Sequence, residues 1–329
     1  MKYKVGIIGS EGKIGRLRSE IIKIHPNLEL VARADPKISE NNHNAYKDWR
    51  NMLKAHDLDI VFICTPHVFI PEITIECLEN GLHVFAEKPP GINLQDTLKI
   101  KEVKDKNKDL KLQFGFNHRW HDSIEHILSI GEMRFGKLLW MNGEYGKGEL
   151  EKWRSNPSLA GHGILLGQGI HMLDLFNLFA GPNWEKVKAV IGPKYYDYPE
   201  EIEDNVFAVM KNKNGITAAI HSSATLWKCT FRLMLSYEKG YAKIDGFLTT
   251  SRRFGFAEKL ILASKNINFG MYGNPKEEIL YFDIDNSWFK EMQYFVESIA
   301  EDEEIECGSI DDAINVMKLV DRIYENGRN

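Results

Sequence analysis

Cysteine is scarce in this 329-residue chain: Cys64, Cys77, Cys229 and Cys307 are scattered without a paired spacing. That excludes a disulfide framework or a cysteine-built metal cluster, and Cys64, inside an apolar run, reads as a buried thiol of a reducing cytoplasm. Long apolar runs are also missing. No segment approaches the roughly 20 apolar residues that span a bilayer, and the basic N-terminus runs into glycines rather than reading as a signal peptide. Neither sign of charge dominates. A net charge of -5, unclustered, leaves no electrostatic footprint for nucleic acid or an anionic membrane. Repeats, low-complexity tracts and long linkers are absent as well. What remains, 43% apolar and 27% charged, is ordinary globular material. It is too long for one comfortable core, so two domains and small-molecule partners are expected.

What the chain does have begins at its start. Val5 to Ile8 form an apolar strand that runs into Gly9, Gly12 and Gly15, spaced three apart. Such a turn cradles phosphate: Gly9 makes the tight bend, Gly12 admits a pyrophosphate to the backbone, and Gly15 lets the next helix pack closely. The usual fingerprint spaces its first two glycines by two, so this loop carries one extra residue. The following strand, Leu28 to Ala34, ends at Asp35, where a carboxylate can accept hydrogen bonds from ribose hydroxyls and repel a 2′-phosphate. NAD is therefore favoured over NADP.

Residues 81 to 91 set Glu87 and Lys88 at the mouth of a short apolar strand, His83 to Ala86, which Pro89 and Pro90 forbid from continuing. In open α/β sheets ligands bind at that edge, and a lysine against low-dielectric walls can serve in proton transfer. Taken alone the pair reads rather as a solvated ion pair at a strand end. The dinucleotide signature upstream turns it towards chemistry.

Strand and helix patterns alternate through the first 120 residues, which implies a parallel, doubly wound α/β sheet whose strands are buried on both faces. After His121 the texture changes. A helix at Ser123 to Ile130, a strand near Leu138 to Tyr145 and a long apolar helix from Ile164 to Phe179 precede seven short β segments, which read as a largely antiparallel open sheet. Ser287 to Ala300 and Ile310 to Tyr324 return to helical periodicity, the second opened by Ser309-Ile310-Asp311-Asp312 as a cap. The expected division is 1–121 for the nucleotide and 122–329 for an α+β domain that binds substrate and oligomerises.

Together Gly9 to Gly15, Cys64-Thr65-Pro66-His67, Glu87-Lys88-Pro89, Phe114 to Arg119 and Gly161 to Asp174 resemble the Gfo/Idh/MocA family, NAD(P)-dependent oxidoreductases of sugars and cyclitols. The resemblance implies an N-terminal Rossmann domain with cofactor contacts at Gly9, Ser10, Gly12, Lys13, Ile14, Gly15, Asp35, Thr65, Pro66, His67, Glu87, Lys88 and Asn117. Lys88 and His171 would be the acid-base pair, with Asp174 orienting the imidazole. Substrate contacts would come from Lys88, His118, Arg119, Tyr145, Trp153, Arg154, His162 and His171, an aromatic and polar lining suited to a sugar, cyclitol or nucleotide sugar. Relatives assemble through the second domain's exposed sheet face, which predicts a homodimer or homotetramer. No metal is expected, since His118 and His121 lack a third ligand.

The chain departs from the family pattern in places. His67 and Ile70 stand where Asn and His are common. In Gly161 to Asp174 the second glycine is His162, and Gly167 replaces an Asp four residues before His171, a separation that places two residues on one helix face. His171 alone also reads as a satisfied core histidine. Three functions follow: an NAD(H)-dependent dehydrogenase acting on a secondary hydroxyl, a lyase or glycosidase using NAD transiently, and an NAD-binding regulator that has lost catalysis.

Overall fold

The computed structural model describes residues 2–39, 44–150, 152–248, 254–265 and 275–327. The chain divides into two compact units. Unit 1 comprises Met1–Asn117, Ser158–Gly161 and Trp288–Met317, and unit 2 comprises His118–Pro157, His162–Ser287 and Lys318–Asn329.

Unit 1 alternates strands and helices as expected: β1 (Tyr3–Ile8), α1 (Lys13–Ile24), β2 (Leu28–Ala34), β3 (Ala45–Tyr46), α2 (Trp49–Ala55), β4 (Ile60–Ile63), α3 (Ile70–Glu79), β5 (His83–Glu87), α4 (Leu94–Lys104) and β6 (Leu112–Gly115). Every pairing is parallel, in the six-stranded order β3-β2-β1-β4-β5-β6. Strand order thus reverses between β1 and β4, and the loops after these two strands flank a switch point where such sheets take ligands. Burial on both faces explains the apolar runs, since all of β4 is fully buried. β3, two residues long, is too short to leave a pattern in sequence. Helix starts follow local chemistry: the Asn93 side chain accepts from Asp96 N–H at 3.0 Å and the Asp48 side chain from Arg50 N–H at 2.8 Å.

Unit 2 contains α5 (Asp122–Phe135), β7 (Leu138–Gly146), a π turn (Leu165–Gly169), α7 (Ile170–Ala180), and strands β8 (Trp184–Ile191), β9 (Asn205–Asn212), β10 (Thr217–Ser223), β11 (Thr230–Tyr237), β12 (Gly240–Phe247), β13 (Phe254–Ser264) and β14 (Glu277–Phe282), while all of the single turn α6 (Pro157–Ala160) but its first residue falls in unit 1. They form one eight-stranded sheet, β14-β13-β12-β11-β7-β10-β9-β8. It is antiparallel except where β7 and β10 run parallel. On the inner face Met172 of α7 sits where a Cβ at Gly143 of β7 would be, at 2.5 Å, so that glycine lets helix and sheet approach. The outer face carries a row of alternating charge, Glu144, Arg232, Asp245 and Lys259, in register across β7, β11, β12 and β13, with His221 of β10 beside Glu144. Arg232 lies 2.8 Å from Glu144 and 3.5 Å from Asp245. Exposed apolar side chains, among them Trp140, Phe207, Val209 and Tyr281, stand around this row.

The expectation that no segment is long and apolar enough to span a bilayer needs one correction. Within the 24 residues Pro157–Ala180, the most apolar 18 have a mean hydropathy of 1.2, and 83% of that stretch is buried inside the protein. A helix apolar on all sides is a core helix when the fold covers it.

Two helices close the chain, α8 (Ser287–Ala300) and α9 (Ile310–Gly327). From α8, Phe295 packs 6.1 Å from Phe62 and 5.5 Å from Phe85, within the core of unit 1. Burying each such phenylalanine contributes about 1.5–3 kcal/mol. The Ser309 cap forms reciprocally: Asp312 N–H donates to Ser309 Oγ at 3.1 Å, and Ser309 N–H to Asp312 Oδ2 at 3.2 Å.

Candidate functional site

In unit 1 the glycine turn is held by sterics. Gly9 has φ +85°, and a Cβ on it would lie 2.5 Å from Cys64 O, while one on Gly15 would lie 2.1 Å from Gly9 O. Gly9 and Ser10 N–H bind Ala34 O, so the turn is tied to the end of β2. Gly12 caps α1 with no side-chain hydrogen bond. Lys13 is exposed and Ile14 half-buried. Asp35, just past β2, accepts from Glu11 N–H at 3.0 Å and Lys37 N–H at 2.9 Å. These bonds hold its carboxylate against the turn.

Across the switch point, Cys64 N–H binds Ile8 O and leads to Thr65 and Pro66. Ser10 Oγ and Thr65 Oγ1 are both buried with no hydrogen-bond partner among the described residues. Buried hydroxyls rarely stay unsatisfied, and two beside an open helix N-terminus fit a phosphate-bearing dinucleotide. His67 is buried, and its Nδ1 donates to Ala160 O at 3.0 Å, a structural bond. Asn117 is also buried, in the turn after β6.

Glu87 ends β5, and its carboxylate accepts from Arg18 Nε at 2.9 Å. Arg18, fully buried on α1, also meets Glu291 of α8 at 2.6 Å and lies over the rings of Phe85 and Trp288. Burial alone would lower the proton affinity of Arg18; the two carboxylates outweigh it and hold the pKa above its ordinary range. The strand end that presents half-buried Lys88 is thus fixed from behind. Sequence reasoning missed this triad, although an arginine in the apolar stripe Ile14, Leu17, Ile21 was a visible signal.

In unit 2, His118, Tyr145 and His171 come together against the inner sheet face. The His118 and His171 rings stack at 3.8 Å, and His118 Nε2 lies 3.1 Å from Tyr145 Oη. Phe247 and Phe231 wall the group. Burial pushes the Tyr145 hydroxyl up, so it stays protonated as a donor at neutral pH. Arg119 grips Asp174 through a fork, Nε to Oδ2 at 2.8 Å and Nη2 to Oδ1 at 2.6 Å, a partner for Asp174 that the sequence did not disclose. His121 is committed to Glu258, 2.7 Å away. Arg154 lies over Trp153 at 4.3 Å, both half-buried.

The Gly161 to Asp174 motif divides into a structural and an open part. Glu203, buried, accepts from Gly163 N–H at 2.8 Å, Leu165 N–H at 2.9 Å and Tyr324 Oη at 3.0 Å. A Cβ on Gly163 would meet Glu203 O at 1.9 Å, so that glycine is obligatory. His162 packs on Tyr324, ring centroids 4.3 Å apart. The expected helix from Ile164 opens as a π turn, in which Ile170 N–H reaches back to Leu165 O. Gly167 sits in this turn, buried, and apart from its chain neighbours and its own helix backbone no heavy atom of the described residues lies within 4 Å of where its Cβ would be. Such wide turns recur at functional sites.

A family model described as an oxidoreductase family with an NAD-binding Rossmann fold matches residues 3–116, and the GFO/IDH/MocA C-terminal domain matches 129–243. The chain belongs to the Gfo/Idh/MocA family of oxidoreductases. Residues 3–116 are accordingly an NAD-binding Rossmann fold. The chain is 26% identical to the uncharacterized oxidoreductase YrbE of Bacillus subtilis, over 92% of this chain and 88% of that protein. It is 25% identical to myo-inositol 2-dehydrogenase of Thermotoga maritima, over 90% and 88%. The fold matches aldose-aldose oxidoreductase of Caulobacter crescentus, solved with glycerol, at a TM-score of 0.82 and 23% identity, covering 100% of this chain and 98% of that one.

Proposed function

We propose that the protein is an NAD(H)-dependent oxidoreductase acting on a secondary hydroxyl of a sugar, cyclitol or nucleotide sugar, with Lys88 and His171 handling the proton. The observation that carries this reading is the buried array of His118, Tyr145 and His171, polar groups gathered between aromatic side chains against the sheet. The polyol named for the Thermotoga relative is in keeping with it.

Gly9, Ser10, Gly12, Asp35 and Thr65 would hold the dinucleotide, its phosphates at the turn and its ribose at Asp35. Bound NAD supplies the hydride acceptor or donor. The Lys88 ammonium stabilises negative charge developing on the substrate oxygen, and His171 takes up or returns the hydroxyl proton. His118 keeps the His171 ring in place by stacking, and the Tyr145 hydroxyl holds His118. Arg119 is braced by Asp174. The regulator reading draws on Gly167, which offers no carboxylate beside His171.

Substituting Lys88 by Ala is expected to lower turnover by at least about 100-fold, the ordinary share of a proton-transfer group, while NAD binding stays within a few-fold. Wild-type turnover on an identified polyol would remove Lys88 from the chemistry. We also propose a homodimer or homotetramer that covers the outer sheet face, where Trp140, Phe207 and Val209 lie open; sedimentation of a Phe207→Asp variant as a monomer is the expected result.

A further inference from the structure

We propose that unit 2 carries a saccharide platform, built from Trp227, Tyr195 and Tyr196, that seats a second sugar ring when the reacting ring lies at Tyr145 and His171. The inference rests on the polyol-oxidoreductase reading above and names its substrate class: a neutral glycoside rather than a free monosaccharide.

Topology puts the platform beside the site. β10 and β11 both pair with β7, and Ser223 and Thr230 both lie opposite Gly146. Their connection, residues 224–229, therefore arches over the end of β7. Leu226 N–H binds Lys147 O at 3.3 Å, two residues beyond Tyr145, and Trp227 follows directly. Two residues along a strand span about 7 Å, a distance of the order of one pyranose ring.

The platform is built rather than incidental. Trp227 has φ 60° and is 66% exposed. A bulky residue in the left-handed region costs about 1–2 kcal/mol, and such strain persists where the surroundings over-determine it. Tyr195, 65% exposed, meets Trp227 at 5.0 Å and 83°, and Tyr196 lies 6.5 Å from the same ring. Both loops are anchored by buried Asp204. Its Oδ2 accepts from Tyr195 N–H at 2.7 Å and Tyr196 N–H at 2.8 Å, and its backbone carbonyl accepts from Ala224 N–H at 2.7 Å. Two large aromatic faces are thus held open to water on a rigid frame.

The exposed charges around the rings are mixed: Lys194 adjoins Tyr195 and Lys228 adjoins Trp227, while Asp197, Glu200 and Glu201 lie further along the first loop. They gather no single-sign field for a nucleoside diphosphate, and offer hydrogen bonds to the hydroxyls of a neutral ring whose C–H face lies on an indole. A second copy of the chain fits less well. Two exposed rings offer at most about 150–250 Å² each, against roughly 800 Å² per partner in a stable interface.

The test reads binding, not turnover. Titrations of the full chain with NAD present measure affinity for cellobiose, maltose and trehalose relative to D-glucose and UDP-glucose. At least one disaccharide is expected to bind on the order of tenfold tighter than glucose, and that ratio should collapse in Trp227→Ala and survive in Trp227→Phe. Circular dichroism confirms that each variant is folded, and Tyr195→Ala serves if Trp227→Ala does not fold. The proposal is overturned if wild type shows no disaccharide preference, or if the ratio survives in a folded alanine variant. It is equally overturned if only UDP-glucose loses affinity, or if Trp227→Ala turns an oligomer into a monomer. Retained platform binding without NADH formation from any ligand would instead sink the oxidoreductase reading alone.

Discussion

Replacing Arg18 by Met tests the brace behind Lys88 most directly. The guanidinium is fully buried, Glu291 is fully buried and Glu87 nearly so, with contacts of 2.6 Å and 2.8 Å. Methionine keeps most of the volume and the apolar contact with Phe85 and Trp288, so the loss isolates two carboxylates stranded away from water. Breaking a buried ion pair from one side costs about 3–5 kcal/mol. With a urea slope of about 3 kcal/mol per molar, the unfolding midpoint should fall by roughly 1–1.7 M. The companion variant Arg18→Met with Glu291→Leu removes one stranded charge and should recover at least about 1 kcal/mol. The reasoning fails if the single variant loses less than about 1 kcal/mol, or if the second substitution adds to the loss. Urea unfolding followed by circular dichroism distinguishes these results.

Three further outcomes follow from local geometry. Gly163→Ala, whose Cβ would overlap Glu203 O, should lose more than about 2 kcal/mol, whereas Gly167→Ala, with open space at its Cβ, should be neutral or gain up to about 1 kcal/mol; urea midpoints compare them. Burial lowers the His25 pKa below its ordinary 6.5, against its bond to Gln293. Its contribution to stability is therefore present above pH 6.5 and lost as pH falls through the depressed folded value. The stability slope between pH 7.5 and 5 should flatten in His25→Gln relative to wild type, and an unchanged slope would contradict this. Asp35→Ser should weaken NAD binding about tenfold and narrow discrimination against NADP, read by titration with each nucleotide.

The α/β alternation of unit 1 was legible because strands buried on both faces write unbroken apolar runs, and the glycine turn because Gly9 and Gly15 have no steric alternative. The alternating strands of unit 2 were legible too, since one face of that sheet is wet. The parallel pairing of β7 and β10 was not, because periodicity records faces and not partners. Long-range pairs stayed hidden for the same reason: Arg18 lies 273 residues from Glu291, and Arg119 lies 55 from Asp174. The π turn also escaped, since Leu165 to Gly169 reads as continuous helix until the backbone shows its wider turn. Trp227 carries no sequence signal at all; its meaning comes from where β10 and β11 meet β7.

The charge ladder from Glu144 to Lys259 has a consequence for recognition. Signs that alternate strand by strand cancel within a few ångströms, so the field above this face decays faster than that of a one-sign patch and depends little on ionic strength. It offers scant long-range attraction to a passing polyelectrolyte. Fit at close quarters is another matter, because a partner displaced by a single strand would set like charges against like.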